Sequence, residues 1–236
     1  MKKQIQDLIN RLGYQITKYP DESQRRTAKL LTLHNIDVVI DIGANAGQYG
    51  SLLREMGYKG RILSFEPLAN AFKLLQDVAS KDPNWDVVNS AMGDKDEEST
   101  INISSNSFSS SLLDMNNNYI TEATNVHYTG TESITVRRLD SIFSDYIDPK
   151  RDDLFIKIDA QGYEGKILAG AQDSIKYVKG IQIEMPLAEM YKGQTLFMPL
   201  LQRLYELGFE LQSLEPGFHH PVTMRLYEID GIFFKK

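Results

Sequence analysis

The chain has 236 residues, 42% hydrophobic and 25% charged, with a formal net charge of −6 and an isoelectric point near 5.3. That length can bury a sizeable core, and the acidic balance argues against a nucleic-acid groove, which needs a basic stripe to neutralise phosphates. There is no cysteine, which excludes disulfides, thiolate nucleophiles and cysteine-based zinc sites, and His34, His127, His219 and His220 lack zinc-ligand spacing.

Lys2 and Lys3 at the N-terminus have no apolar stretch behind them, and no run reaches the ~20 apolar residues of a membrane span. A soluble, cytoplasmic protein is expected. Ile5, Leu8, Ile9, Leu12 and Ile16 recur at helical spacing, so residues 3–17 read as an amphipathic helix, packed on the domain or used in a homodimer. Asp21 and Ser23 can cap a second helix running to Leu33, and residues 1–34 together read as a helical extension. From there an alternation begins. Asp37–Ile42, Arg61–Phe65, Trp85–Ser90, Leu154–Ile158 and Gly180–Met185 read as buried strands. Helices are expected over Gln48–Met56, Leu68–Ser80, Tyr163–Tyr177 and the stretch ending at Leu207. Phe209–Leu214 and Leu226–Phe234 close the chain as strands without a helix between them, which predicts antiparallel pairing. This is the pattern of an α/β domain over residues 35–236, a mainly parallel seven-stranded sheet with helices on both faces. One insertion, about residues 95–138, breaks the rhythm: strand-like Ser99–Ile103 and Ser133–Arg138 flank a Ser/Asn-rich stretch, Ser104–Asn118. That stretch reads either as a mobile loop or as a hairpin-borne lid.

The first strand ends in Asp41 and leads through Gly43, Asn45 and Gly47 into a helix. Glycines there let the backbone turn sharply and approach a ligand. The spacing lacks the third glycine of a dinucleotide fingerprint. An acid at position 41 would repel a pyrophosphate but suits S-adenosylmethionine, whose sulfonium and ammonium are cationic. The second strand ends in Glu66-Pro67, where an acid can accept both hydrogen bonds of a ribose diol, and Ser90 and Ala91 follow the third strand at the expected adenine edge.

The segments Asp41-Ile42-Gly43-Ala44-Asn45-Ala46-Gly47, Phe65-Glu66-Pro67, Ser90-Ala91-Met92-Gly93-Asp94, Leu139-Asp140 and Lys157-Ile158-Asp159-Ala160-Gln161-Gly162-Tyr163-Glu164 resemble those of FkbM-type methyltransferases. The resemblance runs roughly from Val38 to Met185 and implies a class I, Rossmann-like methyltransferase fold. It also implies methyl transfer from S-adenosylmethionine to a hydroxyl of a sugar, glycan or secondary metabolite. The chain departs from the family at Gln161, where a glutamate is usual.

Methyl transfer from a sulfonium is an in-line displacement, so alignment matters most and a base assists the hydroxyl. Strand ends offer Asp159, as base or cofactor ligand, and Glu184; the loop after the Phe209 strand offers His219 and His220. No metal site is expected, since two carboxylates do not define one. Two rival readings are a degenerate adenosylmethionine-binding module, which Gln161 favours, and a nucleotide-dependent oxidoreductase, which the glycine spacing disfavours.

Overall fold

A computed structural model describes residues 9, 11–13, 19, 21–106, 108–120 and 124–236. The expected helix over residues 3–17, and the dimer contact assigned to it, lie largely outside them. The first described helix, α1 (Glu22–Leu33), starts at a capping box: Asp21 Oδ1 accepts from Gln24 N and Gln24 Oε1 accepts from Asp21 N. Asp21 alone, not Ser23, supplies the cap.

Seven strands form the main sheet: β1 (Val38–Ile42), β2 (Arg61–Phe65), β3 (Trp85–Val88), β7 (Leu154–Ile158), β8 (Val178–Pro186), β9 (Phe209–Pro216) and β10 (Glu228–Lys235). Their order is β3-β2-β1-β7-β8-β10-β9, parallel throughout except that β10 runs antiparallel to both neighbours. This is the class I methyltransferase arrangement expected from the motifs.

Alternation along β1 explains the two apolar layers. Val38, Ile40 and Ile42 point into one core with helices α4 (Leu139–Tyr146), α5 (Glu164–Ala169) and α6 (Phe197–Glu206). Val39 points into the other, with α1, α2 (Gln48–Glu55) and α3 (Ala69–Ala79). Leu31 of α1 is buried in this second core, and Arg26 donates to Ser213 Oγ of β9 at 2.8 Å. A sheet with both faces covered is buried along its central strands, and every residue of β1 and β7 is.

The insertion is a second, three-stranded sheet, β4 (Ala91–Met92), β6 (Tyr128–Arg137) and β5 (Glu97–Ser104), with β5 and β6 antiparallel. Two elements differ from expectation. Leu139–Tyr146 is a helix, not merely the pair Leu139-Asp140. The helix expected over Tyr163–Tyr177 is broken: α5 ends at Ala169 and a 3₁₀ turn follows at Ser174–Tyr177. The break is packed, since a Cβ on Gly170 would stand 1.8 Å from the Gly93 carbonyl oxygen. Asp140 Oδ1 then accepts from the backbone N–H groups of Asp173 and Ser174. Among the described residues, no helix is long and apolar enough to cross a membrane.

Candidate active site

In an open parallel sheet, ligands bind beyond the carboxyl ends of the strands. There, the ends of β1, β2 and β7 border a cavity of roughly 370 Å³. The turn after β1 forms one wall. Gly43 lies at φ +80°, Asn45 at +48° and Gly47 at +85°. Gly43 admits no side chain, because a Cβ would stand 1.9 Å from the carbonyl oxygen of Asp159 where β1 and β7 meet. The left-handed Asn45 aims its N–H at Glu66 Oε2 (2.9 Å), while Leu68 N–H donates to Oε1 (2.9 Å). Asn89 Nδ2 donates to the carbonyls of Glu66 and Pro67 and fixes the turn from behind. Glu66 is therefore oriented through its own backbone neighbourhood and keeps further lone pairs with which a ribose diol could bond. Burial pushes its carboxyl up to about 7, against the pull of the two backbone donors.

A smaller space of about 40 Å³ shares Gly43, Pro67 and Ile101 with this cavity and is lined by Ser90, Ala91, Phe65 and Leu112. Ser90 is 4% exposed and its Oγ has no hydrogen-bond partner. An orphaned buried hydroxyl costs about 1–3 kcal/mol. An adenine edge between apolar walls would satisfy it, so the residues present fit the cofactor at both its ribose and its base. Gly47 does not line the cavity; it is the N-cap of α2.

Asp41 also stays out of the cavity. The register places it opposite Ser64 and Lys157, inside the sheet. Ser64 Oγ lies 3.4 Å from Asp41 Oδ2 and Lys157 Nζ 3.4 Å from Oδ1. Burial raises the Asp41 carboxyl's pKa and Lys157 opposes the rise. Lys157 Nζ also sits 3.3 Å from Asp159 Oδ2 and donates to the Gly43 carbonyl at 3.3 Å. Burial acts to lower its pKa, but Asp159 and Asp41 outweigh that and hold it above the usual lysine value. Lys157 thus neutralises the acid that the spacing had assigned to the cofactor's cationic end. The acids on the cavity wall itself are Glu66, Asp159 and Asp230, and burial lifts Asp230 to about 6.

Beyond Asp159 lies a second cavity of roughly 360 Å³. Asp159, Gln161 and Phe108 line both spaces and form the partition between them. Glu184 and Glu228 add carboxylates to the second cavity, Tyr191 a phenol, and Val126, Met190 and Phe218 apolar surface. Among the described residues its lining contains no lysine, arginine or histidine. Burial raises Glu184 well above the usual carboxylate range and lifts Glu228 to about 8. Among the described residues, no group of three or more acids and histidines is arranged to hold a metal ion.

The Ser/Asn-rich stretch builds part of this wall. Ser111 Oγ donates to the Gln161 carbonyl at 2.7 Å, Asn116 N–H to the Met190 carbonyl at 2.7 Å, and Lys192 N–H to the Asp114 carbonyl at 2.9 Å. These hydrogen bonds tie Ser111, Asp114 and Asn116 of the stretch to the Gln161 and Met190–Lys192 segments. His219 and His220 are not brought to either cavity. His219 is exposed and bridges Leu226, and His220 Nδ1 accepts from Val222 N–H and Thr223 N–H, closing a turn. Alternation in this hairpin turns Phe218 inward and His219 out.

Sequence reasoning missed Gln182, Asp230 and Glu228 as lining residues. A signal existed: Gln182 and Glu184, like Glu228 and Asp230, are polar residues two apart in strands that are otherwise largely apolar. No local pattern marks Tyr49, whose hydroxyl donates to Gln182 Oε1 at 3.1 Å, or Tyr191.

A family profile described as "Methyltransferase FkbM domain" matches residues 41–211. The chain is 25% identical over 195 residues to the 2-O-methyltransferase NoeI of Sinorhizobium fredii, covering 80% of this chain and 79% of that protein. Its fold is similar to that of the plantazolicin methyltransferase BamL, solved with a triazolic desmethylPZN analog and SAH, at TM-score 0.50 and 11% identity over 90% of this chain and 84% of that one. A putative S-adenosylmethionine-dependent methyltransferase from Listeria monocytogenes matches at TM-score 0.50 and 10% identity, over 90% of this chain and 98% of that one. With the cofactor cavity, the strand order and the family match in agreement, this chain belongs to the FkbM family of S-adenosylmethionine-dependent methyltransferases.

Proposed function

We propose that the chain methylates a hydroxyl of a sugar or of a hydroxylated metabolite, with Asp159 as the general base. The observation that carries this reading is the position of Asp159 on the partition between two cavities, one fitted to the cofactor and the other lined with acceptor-type groups. S-adenosylmethionine supplies an electrophilic methyl on a sulfonium. Asp159, its side chain 38% exposed, is positioned to take the hydroxyl proton as the acceptor oxygen forms its bond to carbon and the carbon–sulfur bond breaks. The sulfur keeps the electron pair and the thioether product leaves neutral at that atom. Lys157 and Gln161 hold the two oxygens of Asp159, from 3.3 Å and 2.9 Å.

Carboxylates accept hydrogen bonds from hydroxyls, and Phe108 and Phe218 offer flat apolar surface to a sugar face. Among the described residues the cavity wall carries no cationic side chain to pair with a phosphate, which disfavours a phosphorylated or nucleic-acid acceptor. Similarity to a 2-O-methyltransferase supports a hydroxyl as the target. The test is a calorimetric titration with S-adenosylmethionine, followed by a homocysteine-release screen over neutral sugars, amino sugars and sugar phosphates. Absence of cofactor binding would sink the reading, and methylation confined to amines or to phosphorylated acceptors would overturn its acceptor half.

A further inference from the structure

The structure shows what the Gln161 amide does. Its backbone sits at φ +50°, a strained conformation held by its neighbours. Ser111 of the insertion donates to its carbonyl at 2.7 Å, and Glu164 Oε1 accepts from Ala160 N–H and Gly162 N–H on either side. The side chain then spends its hydrogen-bonding capacity on the partition. Nε2 donates to Asp159 Oδ1 at 2.9 Å and to Glu184 Oε2 at 3.4 Å, and Oε1 accepts from the Tyr191 hydroxyl at 2.8 Å. Nε2 thus reaches one oxygen of each acid. A carboxylate at 161 would bring no N–H to the Asp159 oxygen that the amide now holds.

We propose that Gln161 is a positioning residue for methyl transfer, its amide bridging Asp159 and Glu184 so that Asp159 faces the acceptor hydroxyl across the partition. The proposal rests on Asp159 acting as base. Other charged groups surround the same point. Lys157 approaches from β7, behind it lies Asp41 of β1, and Glu164 approaches from α5. From β10 come Glu228 and Asp230. Burial raises Glu164 to about 7 and Glu228 to about 8.

The test compares the full chain with Gln161→Glu and Gln161→Met. Carbon-13 NMR follows the Asp and Glu carboxyls against pH with S-adenosylhomocysteine bound. Activity is followed with the best acceptor of the sugar screen. In Gln161→Glu an added negative charge favours protonated neighbours, so the cluster's titration and the acid limb of kcat/KM are expected to move up by about one pH unit. Gln161→Met, close in volume but without a donor, is expected to lower kcat about tenfold or more while the Kd for S-adenosylmethionine stays within about threefold. An unmoved carboxyl titration in Gln161→Glu, or unchanged kcat in Gln161→Met, overturns the proposal. Should Gln161→Glu fail to fold, Gln161→Met decides alone. Full activity in Asp159→Asn would instead strike at the base assignment, and the NMR titration, which needs no acceptor, separates the two failures.

Discussion

The two cavities on either side of Asp159 are built differently. The cavity proposed for the cofactor draws on short stretches at consecutive strand ends, 43–45, 66–68 and 90–91, and is held largely by backbone geometry. The cavity proposed for the acceptor gathers side chains from the insertion, the ends of β7 and β8, the turn carrying Tyr191, and the β9–β10 hairpin. A backbone-built site is specified by local sequence and tolerates little change. A side-chain-built site owes its shape to packing between distant segments, so it can vary while the fold stays constant.

Variants that act on one side only are the means to break this contrast. The largest effect is expected at the partition. Asp159→Asn should lower kcat about 100- to 10 000-fold, the usual range for losing a positioned base, with little change in cofactor Kd; kinetics beside calorimetry checks both. Gly43→Ala should follow. The added Cβ meets a backbone oxygen at 1.9 Å and the φ is +80°, so a loss of at least about 3 kcal/mol in urea unfolding is expected.

Glu66→Ala should weaken S-adenosylmethionine binding about 10- to 100-fold, since charge-assisted hydrogen bonds contribute about 1.5–3 kcal/mol, whereas Asp159→Ala should cost under about fivefold. Equal losses would place Asp159 among the cofactor residues and blur the two sides. The same carboxyl gives a pH signature. A ribose diol held by Glu66 would donate to the ionised carboxyl, whose pKa is lifted to about 7 by burial. Binding therefore favours loss of that proton, and cofactor affinity should rise as pH climbs toward 7, by up to about tenfold per unit below it. Titrations at several pH values would show it, and Glu66→Gln should flatten the dependence. The smallest effect is expected at His219→Ala and His220→Ala, which should leave kcat/KM within about twofold because neither ring reaches a cavity.

These contrasts also explain what could be read beforehand. Glu66 and Gly43 were legible as cavity-lining residues because their placement follows from neighbours a few residues away: a strand end, a turn, a following helix. Asp41 was legible as an acid but not as a sheet-buried partner of Lys157, since that pairing depends on the register between β1 and β7. The histidine pair looked suitable by pKa alone, yet alternation in the hairpin turned Phe218 inward instead. Glu228 and Asp230 passed as ordinary strand residues because only the antiparallel pairing of β10 with β8 sets Asp230 opposite Glu184.

Hydrophobic periodicity and glycine placement, both local properties of the chain, were sufficient for the order of strands and helices along it, while the family followed from the resemblance of short motifs such as Asp41–Gly47 and Lys157–Glu164. The break after α5 and the helix after β6 escaped because packing against Gly93 and the Asp140 hydrogen bonds decide them, and these join segments far apart in the chain. The second cavity belongs to the same class. Its acids, its aromatic walls and the Gln161 bridge acquire a shared purpose only when long-range pairing and burial bring them within hydrogen-bond reach.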